Sequence, residues 1–200
     1  MVREIKTKIY KLNELSNKAR EKAIENHRSI LVDFDDWFEP VIEDFQTKME
    51  EAGHNIDIET ISFGDFYSQG AGACFTTENG ELDIRSLLKD LKIKMKDLPS
   101  GFSKELKEGL MTIELNQISY HHSHPFTIEP ELIYDGENSK IEDVFLRLQP
   151  LFINILRGKM TKLNNELQRS YEACLREDNV IEEINSQGLE FYEDGEDYSE

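Results

Sequence analysis

The stretch Ile61-Ser62-Phe63-Gly64-Asp65-Phe66-Tyr67-Ser68-Gln69-Gly70-Ala71-Gly72-Ala73-Cys74-Phe75 places three glycines between two runs of apolar and aromatic residues. Glycine is used where a chain turns with positive φ or where its backbone must come close to something. The flanks read as strands: Ile56, Ile58 and Ile61 alternate up to Phe63, and Ala73 to Thr77 forms the return limb, which predicts a hairpin with a glycine-rich connection. The run fits neither the dinucleotide-binding glycine pattern nor a phosphate-binding loop with its lysine. It marks a candidate site without specifying a ligand or cofactor.

A second hairpin is expected downstream. Met111, Ile113 and Leu115 alternate, as do Tyr120, His122 and His124, and Phe126, Ile128, Leu132 and Tyr134 continue the far limb. Pro125 and Pro130 cannot donate to a ladder, so that limb belongs at a sheet edge or carries a bulge. Upstream, Glu4 to Leu12 alternates like a first strand. Ser16 is placed to cap a helix over Asn17 to Ser29, and Asp33 to Ala52 reads as a helix whose regular part starts near Pro40 and stops at Gly53. Its Trp37, Val41, Phe45 and Met49 form a core-facing stripe, and Asp33, Asp35 and Asp36 read as carboxylates at its positive end.

Leu87, Leu88, Leu91 and Met95 put a helix over Asp83 to Leu98, with a short one around Ser103 to Gly109. A long amphipathic helix follows from Lys140 to Arg176, with a break expected near Pro150 and a weak point at Gly158. Leu156, Met160, Leu163, Leu167, Tyr171 and Cys174 line one of its faces. A short helix over Glu177 to Asn185 and a strand over Leu189 to Tyr192 complete the pattern. Hairpins separated by helices predict an α+β domain over residues 1–192, an antiparallel sheet with helices mainly on one face, then an acidic tail over 193–200. The long stripe is compatible with a homodimer, and burial in the chain's own core explains it equally well.

The charge balance narrows the function. Net charge is −18, of which residues 177–200 contribute −10 and the rest −8. A chain this acidic gains nothing from counterion release on phosphates, which argues against direct binding to DNA or RNA and for a basic partner. The acidic end can also serve as a solvated tail. No apolar run reaches the roughly 18 residues of a membrane helix. The charged N-terminus does not read as a secretory signal, and two distant cysteines form no disulfide framework, so a cytoplasmic protein is expected.

Three of the five histidines fall in Tyr120-His121-His122-Ser123-His124. On a strand, His122 and His124 would share a face, where they could hold a metal with help from Asp65 or simply form a polar, pH-sensitive surface. No complete ligand set can be named. Cys74 is a candidate nucleophile if a histidine serves as its base, and otherwise a small buried hydrophobe. If the two hairpins are neighbours, Asp65, Tyr67, Ser68, Gln69, Gly70 and Gly72 would form one ligand-binding site with Tyr120, His122 and His124.

Several of these pieces resemble a group of small phage- and prophage-encoded proteins, some of them described as antitoxins of a toxin–antitoxin stability system. The matching segments are Tyr10 to Ser16 running into Ala19 to Ile24, Asp35 to Phe38 with Glu43 to Phe45, Ser62 to Phe75, Tyr120 to His124, and Leu189 to Gly195. The family pattern usually carries an Asp between the last two glycines, where this chain has Ala71. The resemblance implies a phage accessory protein that antagonises a bacterial toxin or anti-phage defence system, by binding a protein component or its nucleotide-like signal. Two alternatives stand beside it: a hydrolase of a nucleotide-like small molecule using His122 or His124, and an acidic mimic of nucleic acid.

Overall fold

The computed structural model describes residues 7–33, 36–68, 70–78, 80–118 and 123–198. Six α-helices and two antiparallel two-stranded sheets among these residues make the chain α+β. It divides into two compact units, one of residues 1–39 with 169–200 and one of residues 40–168.

The first unit holds α1 (Asn17–Asn26), α6 (Glu177–Ser186) and the last turns of α5 (Ser139–Cys174). Ser16 caps α1 as expected, its Oγ accepting the Ala19 N–H at 3.4 Å. Leu12, Ala23, Ile24, Ile30, Val180, Ile184 and Phe191 are buried together as its core. The expected strand over Glu4 to Leu12 is replaced, within the described residues, by a single bridge from Tyr10 to Phe191 and a 3-10 turn at Leu12–Glu14. Phe191 also bridges Asp197, and Tyr198 N–H donates to Glu190 C=O, so the acidic segment is hydrogen-bonded into this unit through Tyr198. Trp37 packs edge-on against Tyr171 at 5.5 Å.

The second unit begins with α2 (Glu39–Glu51), which carries Pro40 in its first turn and buries Ile42, Phe45 and Met49. A 3-10 turn at Ile58–Thr60, capped by Asp57, takes the place of the first half of the expected strand. The hairpin follows as β1 (Ile61–Phe63) and β2 (Ala73–Phe75), in the register Ile61 to Phe75 and Phe63 to Ala73. Phe75 is fully buried and packs against Phe45 at 5.9 Å.

Next come α3 (Ile84–Asp90) and α4 (Phe102–Lys107). The expected helix to Leu98 ends early because Lys92 turns left-handed at φ 58°, and Ile93 N–H then closes on Leu88 C=O. The second hairpin is β3 (Met111–Gln117) with β4 (Ile128–Tyr134). Pro130 sits opposite Leu115, whose backbone groups bond away from β4, so the missing proline donor costs the ladder nothing.

α5 runs unbroken for 36 residues through Pro150, against the expected break. The carbonyl freed by the proline is that of Leu146, a residue 42% exposed, where water can satisfy it. Leu156, Met160, Leu163 and Leu167 are all buried, which accounts for most of the predicted stripe. No helix among the described residues is long and apolar enough to cross a membrane.

Candidate functional site

The glycine loop is held largely by its own hydrogen bonds. Gly64 N–H donates to Gly72 C=O at 3.0 Å, extending the β1–β2 pairing by one step, and Ala71 N–H donates to Ser68 C=O. Inside that frame Asp65 Oδ1 accepts the N–H groups of Tyr67 at 3.0 Å and Ser68 at 2.7 Å. These contacts, with the Ser68 hydroxyl foremost, hold the Asp65 carboxyl below its usual range. Two of the loop amides are thus taken by Asp65. Gly70, at φ 93°, occupies a conformation that only glycine adopts without strain. Tyr67 projects outward, 70% exposed.

Gly72 shows what the loop approaches. A Cβ built there would fall 2.7 Å from the Ser123 carbonyl oxygen and 3.0 Å from both Cα and Cδ2 of His124. The hairpins are neighbours, as the proposed site required, and they meet backbone to backbone at this point. Gln69, Tyr120 and His122 lie outside the described residues. Asp65, Tyr67, Ser68, Gly70, Gly72 and His124 are the predicted site residues the structure places.

His124 does not occupy the strand position expected of it. It precedes a 3-10 turn at Pro125–Thr127, because the fixed φ of Pro125 suits a helical first position and ends extended pairing. Its Nδ1 accepts the Phe126 N–H at 3.1 Å, which leaves Nδ1 bare and the proton on Nε2 in the neutral ring. Thr127 closes the turn from the other side, its Oγ1 accepting the His124 N–H and donating to the His124 C=O.

The imidazole then stacks on Phe126, with centroids 5.3 Å apart and planes 18° from parallel. The Arg157 guanidinium lies 4.7 Å from the Phe126 centroid and is fixed by bonds to the carbonyls of Pro125 at 3.1 Å and Ile128 at 3.2 Å. Phe126 remains 67% exposed. The result is a held histidine, an exposed aromatic ring and a pinned cation beside the glycine loop. Sequence reasoning missed Phe126 and Arg157 as site members. The available signal was Arg157 directly after Leu156 of the apolar stripe, a charge at the margin of a buried face.

Cys74 lies beneath this surface, fully buried, with Sγ 3.2 Å from Ser62 Oγ. Burial pushes its thiol up, outweighing the bonds from the Ser62 and Thr127 hydroxyls and the His124 backbone. A nucleophilic cysteine needs the opposite shift, so the buried-hydrophobe reading is the one the geometry carries. Among the described residues, no three His, Cys, Asp or Glu side chains are grouped to hold a metal ion.

A family model, DUF8835, described as a domain of unknown function, matches residues 37–177, and the chain belongs to that family. The matched region contains the whole second unit, with both hairpins and the His124 turn. No curated protein and no solved structure matches the chain.

Proposed function

We propose that this family member is a non-catalytic binding protein of phage type, which antagonises a bacterial toxin or anti-phage defence system in the host cytoplasm by engaging one of its protein components. The observation that carries this reading is the exposed Phe126, flanked by the half-buried His124 and Arg157 and joined to the glycine loop at Gly72. Aromatic and arginine side chains presented on a rigid base are the usual anchors of protein interfaces. Net charge of −18 favours a basic partner surface and speeds encounter with it. The same loop supports a second reading, binding of a nucleotide-like signal, through Gly70, Gly72 and Ser68. A hydrolase would instead depend on His122 and His124, and a nucleic-acid mimic on overall charge and not on Phe126.

Co-expression with a panel of toxin and defence operons, scored by colony and plaque formation, separates these readings. Rescue is expected against at least one operon, lost in Phe126→Asp and kept in His122→Ala with His124→Asn, since the asparagine oxygen can still accept the Phe126 N–H. Rescue that survives Phe126→Asp but disappears with the histidines would replace binding by hydrolysis.

A further inference from the structure

The run from Arg85 to Lys96 carries Arg85, Lys89, Lys92, Lys94 and Lys96, five of the chain's 23 cations within twelve positions, and Asp90 is the one acid among them. Asp90 is itself engaged by Lys159 at 3.4 Å. All five cations are exposed, and among the described residues none of the five is ion-paired. In a chain of net charge −18 this is a local field of the opposite sign. A charge run of this kind is ordinarily a solvated face, and two features of the backbone set this one apart.

The first is an apolar hollow that the cations surround. α3 stops in a Schellman closure, in which Lys92 N–H donates to Lys89 C=O and Ile93 N–H to Leu88 C=O, both at 2.9 Å. Such a closure sets the residue after the stop beside the last turn of the helix. Ile93 and Leu88 accordingly line one hollow of about 350 Å³ with Met95, the first residue of a 3-10 turn at Met95–Asp97. Arg85, Lys89, Lys92 and Lys94 complete its lining, and no carboxylate takes part. Leu88 is buried, whereas Ile93 and Met95 are only half-buried and leave apolar surface open. The second feature is Lys92 itself, at φ 58° the one non-glycine residue described at positive φ. Glycine or asparagine is ordinary at that position of a helix stop, and a strained residue kept there points to a role for its side chain.

We propose that this hollow receives a short acidic segment of a partner protein. One large apolar side chain enters beside Leu88, Ile93 and Met95, and flanking Asp or Glu side chains meet Arg85, Lys89, Lys92 and Lys94. Four cations outnumber the charge of a single small-molecule head group and match a run of carboxylates. No aromatic side chain lines the hollow, so a nucleic-acid base finds nothing to stack on. A nucleic acid or an anionic membrane also extends far beyond the roughly 8 Å over which exposed charges act at physiological salt, and so meets the acidic remainder of the chain. A short segment meets the basic patch alone. A second copy of this chain would bring a further −18. Neither Phe126 nor Arg157 lines the hollow, so its occupant is a contact additional to the one proposed above.

The test uses the full chain as bait for a displayed library of random peptides, with Lys89→Gln combined with Lys92→Gly as counter-bait. Lys92→Gly removes the cation while easing the left-handed turn, so the double variant keeps its fold, which a melting curve checks. Selected peptides should set a Leu, Ile, Met or Phe between Asp or Glu residues. The leading one, fluorescein-labelled, should bind wild type about tenfold more tightly than the double variant, and should lose a similar factor when its apolar residue is changed to serine. Phe126→Asp should leave that affinity unchanged, which separates this contact from the function proposed above. Selection without acidic enrichment, equal affinity for the double variant, or indifference to the serine change would overturn the proposal. So would phosphatidylserine vesicles that retain the chain and are not displaced by the peptide.

Discussion

Gly72→Ala tests the contact that joins the two hairpins. The added methyl would sit 2.7 Å from the Ser123 oxygen and 3.0 Å from two atoms of His124. Two of those three atoms are backbone, so no flexible side chain can simply swing away. Overpacking of this kind costs roughly 1–3 kcal/mol, and the close approach to main chain puts the expected value near the top of that range. For a chain of this size each kcal/mol lowers Tm by about 2–4 °C, so a fall of about 5–10 °C is expected. Gly64→Ala is the internal control, because its Cβ would meet only Ala71 Cα at 4.0 Å, an ordinary contact. Calorimetry of both variants, with the His124 ring resonances followed by NMR, gives the answer. A Gly72→Ala transition within a degree of wild type, with unshifted His124 signals, would refute the hairpin contact.

Three further outcomes concern a helix glycine, a buried histidine and the two cysteines. Gly158→Ala should raise Tm by about 2–4 °C, because a Cβ there meets nothing within 4 Å and mid-helix glycine costs up to about 1 kcal/mol against alanine; an unchanged or lowered Tm would contradict the unbroken course of α5. His54 is buried with Nδ1 accepting the Asp83 N–H and Nε2 without a partner among the described residues, and burial together with the Lys159 charge lowers its pKa from the ordinary 6.5. The unfolded chain therefore takes up that proton first, so stability should be level above about pH 6.5 and fall as the pH drops below it, in urea titrations whose pH slope flattens in His54→Gln. Native iodoacetamide labelling read by peptide mapping should mark half-buried Cys174 before Cys74, and equal rates would contradict the sealed position of Cys74.

What could be read from the chain beforehand was whatever a local pattern controls. Leu156, Met160, Leu163 and Leu167 recur at helical spacing and are buried; Met111, Ile113 and Leu115 alternate and form β3; Ser16 caps where a serine should. What escaped was set by distant partners or by backbone choices no side chain announces. Tyr10 pairs with Phe191 from the opposite end of the chain, and nothing in Lys92 marks it as the left-handed stop of α3. Pro150 advertised a break that the solvent exposure of Leu146 made unnecessary. Pro125, by contrast, was a readable warning that His124 would leave the strand, since a proline there favours the start of a turn.

The same reasoning changes what kind of ligand the loop can serve. A glycine signals close approach, and at Gly72 the approached object is the chain's own Ser123 and His124. The amides of Tyr67 and Ser68 are spent on Asp65, and His124 Nδ1 is spent on Phe126 N–H. The loop and turn therefore work as a rigid base, held by internal hydrogen bonds, and the side chains exposed on it are Tyr67 and Phe126, with the half-buried Arg157 guanidinium beside Phe126. A phosphate-type ligand is recognised chiefly by free backbone donors, whereas a protein surface is recognised by such ordered aromatic and arginine anchors at little entropic cost. The occupied amides are the reason a protein component, and not a nucleotide-like signal, is the partner proposed for this surface.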